Sequence, residues 1–375
     1  MTVPASSSGN AVSIVLHSIP GLSTTPTAAA VRLTRLRDIA SGQGRHVVFI
    51  GLDHQLDAEL VYKKIPKADI PSTEKFFSEA RSIHRSRHRH IVPIQYACEG
   101  DDDVYIAMPH FQRGSLETAV SGRLLTAREI VRLGLDFLMG LHHAHAVGVL
   151  HLDIKPANIF VDDSGAALLA DFGQSQLLST AGLAEIPELY AWSTPPEVDT
   201  GSTLTRKADV YQAGLTLYRM CIGERAWKAQ LGGIKSGSAI WDQIRKGTFP
   251  ARDAFPEHIP DRLRRLVRKA INPDPDKRHP SVLALMNDVA AVENGPLDWR
   301  PEELGPHNRR WTLRIDRATI EVDLQSDGSG RWKVESHRKG IKEMRLNGSC
   351  LDWSSEVVAR KHVTRLLSGS GRLPK

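Results

Sequence analysis

The run His151-Leu152-Asp153-Ile154-Lys155-Pro156-Ala157-Asn158 is followed thirteen residues after its last member by Asp171-Phe172-Gly173. Asp153 is a carboxylate that can accept a hydroxyl proton. Asn158 and Asp171 offer the hard oxygen donors that magnesium prefers, and Lys155 supplies a compact cation for a phosphate. That set suits phosphoryl transfer, in which a protein mainly positions a nucleotide, neutralises its charge through magnesium and orients the attacking hydroxyl. The plainer reading, a helix and hairpin turn that carry polar residues by accident, does not produce both elements in this order and at this spacing.

Positioning these groups requires further elements, and candidates for them lie in order along the chain. Through them the sequence resembles the eukaryotic-like Ser/Thr protein kinases, bacterial members included, from about Leu33 to Asn294. The resemblance implies an α+β, bilobal fold: an antiparallel-sheet small lobe over residues 31–110 and a mainly helical large lobe over 111–294. It also implies ATP with Mg2+, and protein substrates.

Residue by residue, Leu60-Val61-Tyr62-Lys63-Lys64-Ile65 resembles the strand that ends in the nucleotide-anchoring lysine. Alternation puts Val61 and Lys63 on one face and Leu60, Tyr62 and Lys64 on the other, which favours Lys63 over Lys64. A helical stretch from Thr73 to Arg87 holds Glu79, where the family places the carboxylate that pairs with the lysine; on its own, a helical glutamate is an ordinary solvated residue. Tyr105 to Phe111 resembles the last small-lobe strand and the adenine-receiving hinge, with Met108 behind the pocket and Phe111 offering its backbone. Pro109 lacks an N–H but keeps its C=O, so it remains compatible with ATP as an acceptor. Thr194-Pro195-Pro196-Glu197 resembles the element that closes the activation segment, and Asp209 to Gly214 the start of the buried central helix. Asp274 to Arg278 is similar to the late arginine motif, so Glu197 and Arg278 are expected to meet as a largely buried ion pair.

Two departures bear on activity. The glycine-rich phosphate loop before Val48-Phe49-Ile50-Gly51 is degenerate. Read one way, its glycine positions fall on Ser41, Gln43 and His46; slid by one residue it keeps Gly42 and Gly44 but gains no third glycine. Glycine matters there because backbone N–H groups must approach phosphates closely. Gly42, Gly44 and Val48 nonetheless stand as the nucleotide-contact candidates. The second departure is Leu152, where many kinases carry an arginine for a phosphorylated activation loop; leucine forms no charge-assisted bond to phosphate. Activity independent of phosphorylation at Ser175, Ser179, Thr180, Ser193 or Thr194 is therefore expected. The alternative is a nucleotide-binding pseudokinase or scaffold whose C-terminal module carries the function.

Composition fits an ordinary globular chain: 375 residues, 41% hydrophobic and 25% charged. Three cysteines imply no disulfide framework, and no apolar run reaches the eighteen or so residues a bilayer crossing needs. A cytoplasmic setting with no membrane partner is expected. The Ser- and Pro-rich residues 1–30 read as a flexible leader with a short strand near Val12 to His17, and Gly295, Pro296, Pro301, Gly305 and Pro306 mark a linker over 295–308.

Residues 309–369 read as a small basic module. Alternation at Trp311, Leu313 and Ile315 and at Ile320, Val322 and Leu324, then the Asp327-Gly328 turn, predicts a small sheet, followed by a helix from Ser354 or Ser355 to about Gly369. From residue 301 onward, 15 Lys and Arg face 10 Asp and Glu, so +5 of the chain's net +6 lies there. Arg331, Lys333, Arg338, Lys339, Lys342 and Arg345 crowd the strands. They suggest a nucleic-acid contact, or else a solvated surface on a module that docks to the kinase or to a protein partner.

Overall fold

The computed structural model describes residues 12–14, 29–39, 47–70, 72–74, 76–77, 81, 84, 87–172, 175–177, 183, 193–200, 203–234, 237–293, 295–305, 308–340 and 343–369. The chain divides into two compact units, Met1–Gln112 and Arg113–Lys375.

The first unit is a seven-stranded sheet. Its strands are β1 (Val12–Ile14), β2 (Ala29–Val31), β3 (Leu33–Ile39), β4 (Val47–Asp53), β5 (Ala58–Pro66), β6 (Tyr96–Glu99) and β7 (Asp103–Pro109), in the order β2-β1-β6-β7-β5-β4-β3. The short strand expected near Val12 exists, but it does not stand apart from the sheet: β1 pairs with β2 and, through Ser13 opposite Glu99, with β6. Phe49, Leu60, Tyr62 and Ala107 bury one face of the central strands. Beneath them Asp53, 1% exposed, accepts bonds from the Tyr96 hydroxyl at 2.5 Å and the Tyr62 hydroxyl at 3.2 Å. Burial alone would push the Asp53 carboxyl up, but these hydroxyls and the Leu56 and Gln55 N–H groups hold it below the usual range. The described residues between Thr73 and His84 are helical.

The second unit begins with α1 (Leu116–Ser121) and α2 (Ala127–Ala146). The start of α2 is set by a capping box: the Thr126 hydroxyl accepts from the Glu129 N–H while the Glu129 carboxylate accepts from the Thr126 N–H. Short strands β8 (Val149–Leu150), β9 (Ile159–Val161), β10 (Ala167–Leu169) and β11 (Gln176–Leu177) follow, as the hairpin β9-β10 and the pair β8-β11. Then come α3 (Arg206–Gly232), α4 (Gly237–Lys246), α5 (Asp261–Ala270) and α6 (Val282–Ala290). Nearly every residue of α3 from Ala208 to Glu224 is buried, so it is the axis around which the unit packs. Gly214 is required there, since a Cβ would lie 2.5 Å from the Ala270 Cβ on α5.

The remaining elements are β12 (Arg300–Gly305), β13 (Asn308–Ile315), β14 (Ala318–Ser326), β15 (Arg331–Lys339), β16 (Met344–Arg345), β17 (Leu351–Ser355) and α7 (Glu356–Leu367). They form a six-stranded antiparallel sheet with α7. Trp311, Leu313, Ile320, Val322, Leu324 and Val334 on the inner strand face pack with Ala359, Val363, Leu366 and Leu367 of α7. The 295–308 stretch differs from the expected linker. Leu297 and Trp299 are buried, the Trp299 indole N–H donates to the Leu367 C=O at 3.0 Å, and residues 300–305 are strand. Pro301 itself sits within strand, opposite Trp311. Among the described residues, no helix is long and apolar enough to cross a membrane.

Candidate active site

The catalytic-loop residues sit between β8 and β9, and α3 fixes their backbone from beneath. Asp209, 0% exposed, accepts from the His151 N–H at 2.9 Å and from the Leu152 N–H at 2.8 Å. The His145 Nε2 at the end of α2 lies 2.6 Å from the same carboxylate. Burial would push the Asp209 carboxyl up; the His145 and backbone bonds outweigh it and hold the group below the ordinary carboxylate range. Those bonds stabilise an unusual local geometry. Leu152 has φ +62°, a left-handed conformation that costs a branched residue about 1–2 kcal/mol. Its side chain is buried with Leu150, Leu204, Ala208 and Val198. An arginine would strand its charge there, so the leucine and its pocket are matched.

Asp153 projects from this anchored turn. Lys155 Nζ donates to its Oδ2 at 2.8 Å and Asn158 Nδ2 donates to the same oxygen at 2.7 Å. Asn158 Nδ2 also reaches the Asp153 C=O at 3.0 Å. With its amide nitrogen so engaged, Asn158 presents its amide oxygen as the free donor, the hard ligand type a magnesium ion takes. The hairpin brings Asp171 alongside: Leu169 pairs with Ile159, and the Ala170 N–H bonds the Asn158 C=O at 2.8 Å. Asp171 itself has φ +59°, a conformation aspartate tolerates better than most residues. His151 supports this end of the hairpin, with Nε2 3.0 Å from the Ala170 C=O and its ring 4.5 Å from that of Phe172. Complete burial pushes the His151 pKa down, which keeps the ring neutral.

Further along, Glu197 and Arg278 meet as the sequence suggests. Two parallel bonds join them, at 2.8 and 2.7 Å, and Arg278 also donates to the carbonyls of Asn272, Lys207 and Pro273. Its guanidinium lies 4.8 Å from the Tyr211 ring centroid.

In the first unit, register places several candidates together. Val48 lies opposite Lys63 and Lys63 opposite Ile106, while Val61 lies opposite Met108. Val48, Val61, Lys63, Ile106 and Met108 therefore share one face. Lys64 points the other way and pairs with Asp103 at 2.9 Å. Pro109 lies opposite Leu60, and Phe111 follows just past the strand end. Gly42, Gly44 and Glu79 lie outside the described residues.

Sequence reading missed His145, Asp209 and Gln212 as site residues. Their signal was present, a histidine closing α2 and a polar pair opening a buried helix, but their partners lie about sixty positions away.

The protein kinase domain profile matches residues 34–289, and the chain belongs to that family. It is 30% identical over 289 residues to the serine/threonine-protein kinase PknK of Mycobacterium bovis, covering 75% of this chain and 24% of that protein. Similarity to the probable serine/threonine-protein kinase PknB of Lactococcus lactis is 27% over 281 residues, 73% of this chain and 44% of the relative. PknL of Mycobacterium tuberculosis is 27% identical over 261 residues, 68% of this chain and 64% of PknL. The chain thus spans less than two thirds of each of these relatives.

Proposed function

We propose that this chain is a protein-serine/threonine kinase that moves the γ-phosphate of ATP to protein hydroxyls, without needing phosphorylation between Asp171 and Glu197. The observation that carries this reading is the polarity around Asp153. Lys155 and Asn158 both bond Oδ2, which leaves Oδ1 as the acceptor for a substrate hydroxyl proton. Lys155 stands on the other oxygen of the same carboxylate, where it would stabilise charge on the phosphate in flight. Asn158 and Asp171 would hold Mg2+, which neutralises phosphate charge when bound. Lys63, paired with Glu79, would anchor the nucleotide phosphates, with Gly42, Gly44, Val48, Met108, Pro109 and Phe111 as its other contacts.

Phosphorylation-independence rests on Leu152. Its packing against Val198 and Leu204 ties the catalytic loop to residues just beyond Glu197 by apolar contact. A cytoplasmic setting suits the free cysteines Cys98, Cys221 and Cys350.

For the C-terminal module the arrangement supports docking to the kinase body rather than tracking of nucleic-acid phosphates. Its cations pair internally: Arg310 with Asp323 at 2.7 Å, Lys339 with Glu321 at 2.9 Å, Arg331 with Asp327 at 2.9 Å and Lys333 with Glu335 at 3.3 Å. Glu257, just before α5, is 5% exposed and pairs with Arg309 at 3.4 Å and with Arg360. Arg128 on α2 forms a two-bond pair with Asp298 at 2.6 and 2.8 Å.

Incubation with γ-labelled ATP, Mg2+ and a Ser/Thr protein acceptor tests the activity. Label should pass to serine or threonine with the wild-type chain and be lost in Asp153→Ala and Asp171→Ala. Equal labelling in all three would remove the enzyme reading and leave the scaffold alternative.

A further inference from the structure

Gln212 lies on the buried side of α3, one turn after Asp209, and is 0% exposed. Its Nε2 donates to the Leu152 C=O at 2.7 Å and to the Ser193 C=O at 3.2 Å, while its Oε1 accepts from the Ile154 N–H at 3.1 Å. The Leu152 C=O belongs to the peptide unit entering Asp153, and the Ile154 N–H to the unit leaving it. One side chain therefore holds both peptide planes that bracket the carboxylate. The remaining N–H of the same amide reaches Ser193, two residues before Pro195-Pro196-Glu197. Thr216, a turn further on, completes the support by donating to the Ile154 C=O at 3.2 Å.

The chemistry of the site selects an amide. Two carbonyls and one N–H face it from two different segments, so the residue must donate twice and accept once. Serine or threonine supplies one donor, and glutamate as its anion supplies none. Burial makes any unfilled bond costly, because no water replaces it.

We propose that Gln212 is a positioning residue that sets the distance between the base, Asp153, and the segment from Ser193 to Glu197 that closes the activation segment. It acts as a fixed internal strut in a chain whose Leu152 cannot answer a phosphorylated loop. This deepens the kinase reading and rests on it for its functional meaning, while the strut itself is a matter of structure alone.

The test uses the full chain with Gln212→Ala and with Gln212→Glu, which conserves volume but removes both donors. Two readouts are taken, each at a matched folded fraction. The first is kcat and KM for a protein acceptor and for MgATP. The expected result is a fall in acceptor kcat of about 10- to 100-fold, the scale of a small misplacement of reacting groups, with KM for ATP unchanged. The second is amide hydrogen exchange, expected to accelerate in Gln212→Ala at Ile154 and across 193–198 together. Exchange that accelerates in the catalytic loop alone overturns the strut. An unchanged acceptor kcat, or a loss shared equally with KM for ATP, overturns the positioning role. Should the wild-type chain transfer no phosphate, the kinase reading falls, and the exchange measurement still decides Gln212.

Discussion

The catalytic loop and the outer face of the C-terminal sheet are both dense in charge, and they arrange it in opposite ways. In the loop, Lys155 and Asn158 turn toward one carboxylate oxygen of Asp153 and leave the other open. On the sheet, Arg310 on β13 meets Asp323 on β14, and Lys339 on β15 reaches Glu321 across the same strand. Arg331 and Lys333 on β15 are likewise answered, by Asp327 and Glu335. Net charge counts both regions alike, yet the loop keeps one carboxylate oxygen for a substrate while these sheet cations are answered from within the protein. The lesson is that sign and number of charges do not make an interface; their pairing does.

The comparison can be broken at several points. The largest effect should come from Asp153→Ala, which removes the proton acceptor and is expected to lower turnover about 10²–10⁴-fold in a steady-state transfer assay. Next is Arg278→Ala: Glu197 is only 14% exposed and loses both bonds, so denaturant melts should show a loss of about 3–5 kcal/mol.

A pH effect follows from His258, whose Nε2 lies 2.9 Å from the Leu125 C=O and whose pKa burial pushes down from 6.5 to about 4. The folded state keeps the ring neutral while the unfolded state takes a proton, so stability is complete above about pH 6.5 and declines as pH falls toward 4. The full loss is about 3 kcal/mol. Urea melts of His258→Gln between pH 4 and 7 should lack that part of the slope.

Smaller again is Glu257→Gln, which takes the anion from Arg309 and leaves Arg360 with Glu356 alone. Both arginines are partly exposed, so a loss of about 1–2 kcal/mol is expected in thermal melts. The smallest effect belongs to the sheet pairs. Lys339→Ala should change stability by less than about 1 kcal/mol, and retention of the chain on DNA or RNA should show no salt slope attributable to the strands. A steep slope lost on mutating Lys333 and Lys339 would restore the nucleic-acid reading.

What the sequence disclosed divides along the same line. Asp153, Lys155, Asn158 and Asp171 were legible because their contacts are local: Asn158 lies five positions after Asp153, and a hairpin brings in Asp171. Lys63 was separable from Lys64 by alternation alone, and the pairing of Lys64 with Asp103 is consistent with that choice. Asp209 and Gln212 were not legible as site residues because their partners are set by how α3 passes under the loop. In the module, β13 to β15 announced themselves by apolar alternation and the Asp327-Gly328 turn. The strand β12 did not, since Arg-Pro-Glu-Glu-Leu-Gly has no such pattern and becomes a strand by pairing with β13. The basic excess could be counted from the sequence but left both a nucleic-acid contact and a solvated docking surface open, because register decides which cation faces which acid.

The most direct measurement is the initial rate of phosphate transfer at saturating MgATP for three full-length chains: wild type, Asp153→Asn, and Lys333→Ala combined with Lys339→Ala. The arrangement described here requires a fall of about 10²–10⁴-fold in the first variant and a wild-type rate in the second. Asp153→Asn turning over as fast as wild type would contradict it.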